Sequence, residues 1–183
     1  STRTRLSFEA AMTRLGGRSL GFDEPKGSSV AKGETLADTI RMVDAYCDAI
    51  VLRHPQEGAA RLAGHFAAKP VLNAGDGAGQ HPTQTMLDLF TIRKCKGKIE
   101  GNQFIVVGDL KYGRTVHSLS EALAMFGAQL TFVAPPTLQM PKEHVKHIQS
   151  MGIKPKSETN LAEAVKGADV LYVTRIQKER FPD

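Results

Sequence analysis

Short apolar runs that each end in a polar turn, with helical spacing between them, constrain the fold of this chain more than any other feature. Residues 48–52, 70–73, 103–107, 130–133 and 169–173 have the length of buried strands. Helical spacing fills 34–46, where Leu36, Ile40 and Val43 share a face, and 83–94, where Met86, Leu87 and Phe90 recur. Further helices are expected at 57–68, 116–126, 141–151 and 160–166, with the last capped by Asn160, and a short strand at 18–22. Strands alternating with helices predict an α/β fold of two lobes, each a mostly parallel sheet flanked by helices. The pattern at 83–96 is long enough to link them. The expected organisation is a lobe over 1–82, a linking helix over 83–96 and a second lobe over 97–183.

Composition narrows the function. The formal charge of +5 and pI near 9.3 are compatible with nucleic acid, an anionic membrane surface or small anions. The basic residues are dispersed, Trp is absent and aromatics are too few for a stacking platform, so nucleic acid is not the expected partner. No apolar run reaches the roughly 18 residues of a membrane span, and the start lacks the layout of a signal peptide, so a cytoplasmic address and no membrane partner are expected. Cys47 and Cys95 stand far apart without ligand spacing, and neither zinc nor another metal is expected. Arginines instead stand where predicted strands end, beside Gly, Thr, His or Gln, which favours small anions held in a cleft.

Ser1-Thr2-Arg3-Thr4-Arg5 opens a helical pattern with Phe8, Ala11, Met12 and Leu15 on one face. Hydroxyls and guanidiniums at a helix N-terminus suit a phosphate, and they equally suit a capped helix with solvated arginines. The loop at 23–33 carries Ser28, Ser29 and Lys32, which read either as a solvated surface or as a flap over a phosphate. Arg53-His54-Pro55-Gln56 ends the run at 48–52. After the next strand, three glycines precede Gln80-His81-Pro82-Thr83-Gln84, but Gln80 stands where a dinucleotide fingerprint needs its third glycine. His81 reads as a helix cap or as a donor to a developing oxyanion. Gly108-Asp109-Leu110-Lys111-Tyr112-Gly113-Arg114-Thr115 has the spacing of a nucleotide-binding P-loop, except that Arg114 replaces the lysine; a forked guanidinium suits a carboxylate better. Glu143, His144 and His147 lack further ligands and read as an exposed helix face. The last run empties into Thr174-Arg175-Ile176-Gln177-Lys178-Glu179-Arg180.

Taken together, these motifs resemble the catalytic chains of the aspartate carbamoyltransferases; the first three are shared more broadly among transcarbamylases, and the last two look like the aspartate enzymes and unlike the ornithine ones. The resemblance runs the length of the chain and implies transfer of a carbamoyl group from carbamoyl phosphate to the amine of L-aspartate, without metal, cofactor or covalent nucleophile. It matches Ser1, Thr2, Arg3 and Thr4 to the phosphate-binding turn, Arg53 to the arginine reaching phosphate and carbonyl, His81 to the carbonyl-polarising histidine and Gln84 to the group holding the carbamoyl amide. Thr4, Arg53 and His81 are thereby the expected catalytic groups. Arg114, Arg175 and Gln177 match the aspartate site, and Ser28 and Lys32 match loop residues lent by a neighbouring subunit, with Lys32 also serving aspartate. A homotrimer with shared active sites is implied, and regulatory chains are compatible with it. The chain resembles a central portion, lacking counterparts of the strand and helix that precede the phosphate turn, of the histidine-proline-leucine-proline segment and of the closing helix. The expectation therefore includes a non-catalytic anion-binding or assembly module as an alternative, with a P-loop-like nucleotide binder as a remote one.

Overall fold

The computed structural model describes residues 2–22, 32–77 and 81–175. Ser1, Ser28 and Gln177 among the candidate site residues lie outside these. The chain divides into two compact units, Ser1–Gly79 and Gln80–Asp183.

In the first unit, α1 (Thr2–Arg14) is followed by α2 (Leu36–Asp44), β1 (Ile50–His54), α3 (Ala59–Phe66) and β2 (Val71–Asp76). Thr35 starts α2 by accepting from the Asp38 N–H, while its own hydroxyl donates to the Asp38 carboxylate. The predicted face holds: Ile40 is buried against Ile50 and Ala63, with Leu36 and Val43 packed beside them. Ala59, Ala60 and Ala63 are the buried positions of α3, small enough to bring that helix close to the strands. β1 and β2 run parallel, with Ile50 opposite Val71 and a register shift between Leu52 and His54. Both strands extend beyond the predicted ends, so Arg53 lies within the last residues of β1 rather than after it. Two expectations are corrected. Residues 18–22 form no strand, since no strand among the described residues pairs with them, and Leu20 is 88% exposed. The apolar face of α1 has no buried residue, and Leu15 is 82% exposed.

The second unit contains α4 (Pro82–Lys96), β3 (Gln103–Val107), α5 (Arg114–Met125), β4 (Gln129–Val133), α6 (Lys142–Ser150), β5 (Lys156–Glu158), α7 (Leu161–Ala164) and β6 (Val170–Val173). A short 3-10 turn at Pro136–Leu138 follows β4. The strands form one parallel sheet in the order β5-β4-β3-β6. Phe104, Val106, Leu130 and Phe132 bury one face against Val116, Leu119 and Leu123 of α5 and Ile148 of α6. Each such side chain contributes about 1.5–3 kcal/mol. β5 was not legible as a strand, because Lys156, Ser157 and Glu158 are all exposed on an edge. No helix among the described residues is long and apolar enough to cross a membrane.

Candidate functional site

In the first unit, Thr4 and Arg53 meet although they are far apart in sequence. The Arg53 guanidinium donates to the Thr4 hydroxyl at 2.7 Å, tying the first turn of α1 to the C-terminal end of β1. The α1 first turn presents backbone N–H groups without intrahelical partners, so Arg53 is fixed beside a polarity that attracts anions. Arg5 is held instead by Glu9 at 2.7 Å, and Arg3 and Lys32 are exposed side chains outside the Thr4–Arg53 pair. Lys32 stands in a 3-10 turn ahead of α2.

The loops after β1 and β2 are joined behind this pair. The buried Asp76 carboxylate accepts from the Gly58 N–H, and the Gly77 N–H donates to the His54 carbonyl at 2.9 Å. Gly77 has a φ of +54°, and a Cβ there would run into the Pro55 carbonyl, so the close approach requires glycine. Parallel strands deliver their C-terminal ends to one edge, and these bonds hold the two loops together at that edge.

In the second unit, β3 sends the chain through α5 to β4 on one side, and the chain later returns through α7 to β6 on the other. The order reverses between β3 and β6, and the space outside the carboxyl ends at such a point is where open α/β sheets bind ligands. Gly108 leaves β3 with a φ of +122° and lies against the Thr174 carbonyl, too close for any Cβ. The Thr174 N–H donates to the Val107 carbonyl at 2.8 Å. Arg114, which opens α5, and Arg175, two residues past β6, therefore both follow strand ends at the switch point. Arg175 is exposed and Arg114 half-buried.

The P-loop spacing of 108–115 sits in a strand–turn–helix context, yet alternate backbone donors along it are engaged within the protein. The Leu110 N–H bonds the Leu138 carbonyl, the Tyr112 N–H bonds the Asp109 carboxylate at 2.9 Å, and the Arg114 N–H bonds the Tyr112 carbonyl. Asp109 is fully buried. A cradle of amides aimed at a phosphate is not what this turn makes.

His81 is the N-cap residue of α4, with Pro82 at the first turn, and it caps through its backbone, its side chain making no capping bond. The helix's first amides are met by the His81 carbonyl instead, which accepts from Gln84 and Thr85 N–H groups. The ring, half-buried, has Nδ1 3.5 Å from the Thr83 hydroxyl. One turn on, the Gln84 side-chain amide donates to the Asp88 carboxylate at 3.0 Å. Asp88 also accepts from the Tyr172 hydroxyl at 3.1 Å. Burial first, then the Asp88 charge and this bond, push the Tyr172 pKa up to about 12.

Asp88, Tyr172 and His117 were not singled out from sequence. The i, i+4 spacing of Gln84 and Asp88 on one helix was the available signal for the first. His117 lies one turn after Arg114, and its Nε2 donates to the Leu110 carbonyl at 2.8 Å in the neutral tautomer that this bond selects. Its ring stacks on His144 at 4.1 Å, and His144 Nδ1 is 3.0 Å from the Glu121 carboxylate. Burial lowers the His117 pKa and His144 adds to this, against the Leu110 bond, Glu121 and Glu143, which raise it. His144 thus belongs to a stacked pair, not to the exposed face expected of it. Among the described residues, no group of three or more His, Cys, Asp and Glu is arranged to hold a metal ion.

Residues 1–94 match the family described as "Aspartate/ornithine carbamoyltransferase, carbamoyl-P binding domain", and residues 100–182 match "Aspartate/ornithine carbamoyltransferase, Asp/Orn binding domain". The chain is 57% identical over 183 residues to the aspartate carbamoyltransferase catalytic subunit of Methanothrix thermoacetophila, covering 100% of itself and 60% of that protein. It is 59% identical to that of Thermococcus gammatolerans, covering 59% of it. Among solved structures, the catalytic subunit of M. jannaschii aspartate transcarbamoylase superimposes over 100% of this chain and 60% of its own with a TM-score of 0.91 at 56% identity. Aspartate transcarbamoylase from Trypanosoma cruzi, in complex with aspartate and phosphate, gives 0.89 at 46% identity, covering 100% of this chain and 61% of its own. The chain thus spans about 60% of the length of the relatives it matches.

Proposed function

The chain belongs to the aspartate/ornithine carbamoyltransferase family, and from that premise we propose that it carries the carbamoyl-transfer site that makes N-carbamoyl-L-aspartate and phosphate from carbamoyl phosphate and L-aspartate, as in pyrimidine synthesis. The observation that carries the choice of amine is the emergence of Arg114 and Arg175 from the ends of β3 and β6 at the switch point. Two guanidiniums suit the two carboxylates of aspartate and repel the side-chain ammonium of ornithine.

In this reading the phosphate compound is held by Ser1, by Thr2, Arg3 and Thr4 of the first turn of α1, and by Arg53, whose bond to Thr4 orients the guanidinium before substrate arrives. The aspartate amine attacks the carbamoyl carbon, a C–N bond forms and a C–O bond breaks, phosphate leaves with the bonding electrons, and one amine proton is released. The oxyanion that develops on the carbonyl oxygen is stabilised by Thr4, Arg53 and His81, each worth about 3–4 kcal/mol if preorganised. Gln84 holds the carbamoyl amide. Gln177 supports the aspartate end, and Ser28 and Lys32 enter from a neighbouring copy in a trimer with shared sites. A carbamoyl-phosphate lobe over 1–82 and an aspartate lobe over 97–183, linked along α4, follow from the same reading, as does a cytoplasmic address. The designation of the relatives as catalytic subunits supports a place for separate regulatory chains.

Replacing Arg175 by Ala tests the aspartate side alone. Losing a charge-assisted pair of about 1.5–3 kcal/mol lowers kcat/KM for aspartate about 10-fold to 150-fold and leaves the carbamoyl phosphate Kd unchanged. An unchanged aspartate KM would remove Arg175 from the site.

A further inference from the structure

A directed chain of hydrogen bonds ends on Gln84. Tyr172 donates to Asp88 Oδ2 at 3.1 Å, and Gln84 Nε2 donates to Asp88 Oδ1 at 3.0 Å. Two elements of one unit contribute: Gln84 and Asp88 from α4 and Tyr172 from β6. The direction of every bond is forced by chemistry. An ionised carboxylate only accepts, so the Gln84 amide must present its NH2 end to Asp88, whichever way a terminal amide would otherwise turn. The carbonyl end, Oε1, is then the end facing away from Asp88. Tyr172 occupies the other carboxylate oxygen and, with a pKa near 12, keeps its proton throughout the neutral range.

We propose that Asp88, backed by Tyr172, is a positioning residue that fixes the Gln84 amide with its carbonyl toward the substrate, so that the site selects an acyl phosphate bearing an N–H donor over one that lacks it. This rests on the reading of Gln84 as the group that holds the carbamoyl amide. Carbamoyl phosphate offers an NH2 to Gln84 Oε1. Acetyl phosphate, of nearly the same shape, offers a methyl group and leaves the carbonyl of the half-buried Gln84 unmatched. Without Asp88 the amide turns over freely, and in the flipped orientation its NH2 opposes the NH2 of the substrate.

The test uses the full chain with two readouts. The first is the pair of Gln84 side-chain amide proton resonances, of which one is shifted and slow to exchange when bonded to a carboxylate. The second is the ratio of the Kd values for acetyl phosphate and carbamoyl phosphate, with inorganic phosphate as the control. Asp88→Ala collapses the shifted resonance and lowers the ratio by about 10-fold while the affinity for inorganic phosphate stays the same. Tyr172→Phe, which keeps the ring and its packing, gives the smaller loss in the same direction, about 2-fold to 3-fold. Asp88→Asn, which retains an acceptor oxygen, restores part of the ratio. An unchanged Gln84 resonance, or an unchanged ratio in Asp88→Ala, overturns the proposal. Gln84→Leu separates the two levels: an unchanged ratio there removes Gln84 from the carbamoyl amide and the proposal with it, whereas a lowered ratio beside an unaffected Asp88→Ala overturns the role of Asp88 alone.

Discussion

The two units build their candidate sites on unequal foundations. The first has two paired strands and, among the described residues, a core cluster of Ile40, Ile50 and Ala63 with partly buried neighbours. The second has four strands and a cluster that includes Phe104, Val106, Leu119 and Phe132, all nearly or completely buried. The first unit accordingly fixes its key side chain by one long-range bond, Arg53 to Thr4, and by loop contacts at Gly77. The second positions Arg114 and Arg175 from elements already immobilised by a shared core, and Gln84 by its bond to Asp88 on such an element. The comparison teaches where a site is vulnerable: in the first unit to the loss of single polar contacts, in the second first to the loss of packing and, at Gln84, to the loss of one bond.

Truncating matched core residues is the strongest way to break this contrast. Phe132→Ala is expected to destabilise the second unit by about 3–5 kcal/mol, because a fully buried ring leaves a cavity among neighbours that cannot close it. Ile40→Ala falls near the low end of the 2–5 kcal/mol range, about 2 kcal/mol, since its surroundings are partly exposed and can collapse. Chemical denaturation followed separately in each unit measures both, and equal costs would erase the distinction. A smaller effect is expected at Gly77. Ala there meets the Pro55 carbonyl at a positive φ, costs about 1–3 kcal/mol and moves the loops after β1 and β2 apart. Calorimetric titration should find carbamoyl phosphate bound more weakly, while the amides of β3 and β4 keep their exchange rates; unaltered binding would show that the loop junction does not hold the site.

The smallest effect sharpens the second unit. His117 has a folded pKa below its ordinary 6.5, so between those values the unfolded chain binds more protons than the folded one. Its contribution to stability is complete above pH 6.5 and is lost as pH falls through the lowered value. The stacked His144 and the charges of Glu121 and Glu143 shape that titration, but burial dominates it. His117→Gln, which keeps a donor for the Leu110 carbonyl and cannot titrate, should flatten the decline of the thermal midpoint below pH 6.5. An identical decline in the variant would assign it to another group.

The alternation of apolar runs and helical spacing made most elements legible, because parallel strands buried on a core read as continuous apolar runs. β3 falls at the expected residues 103–107, and Ile40 and Val43 pack as their spacing implied. The failures share a cause: their status depends on partners that spacing does not reveal. Residues 18–22 look like a strand but have no neighbour to pair with among the described residues, and β5 is a strand only because β4 offers its edge to Lys156, Ser157 and Glu158. At the sites, charged groups at strand ends drew attention to Arg53, Arg114 and Arg175. Asp88 and Tyr172 did not stand out, because what matters about them is the direction of their hydrogen bonds. His144 was misread for the same reason, its stacking partner His117 lying on a different helix.

The central claim, carbamoyl transfer to aspartate by two arginines at the β3–β6 switch point, is tested most directly by supplying carbamoyl phosphate with L-aspartate or, separately, with L-ornithine and measuring ureido product. The account expects N-carbamoyl-L-aspartate from the first mixture and no citrulline from the second. Citrulline formation, or equal rates with both amines, would contradict it.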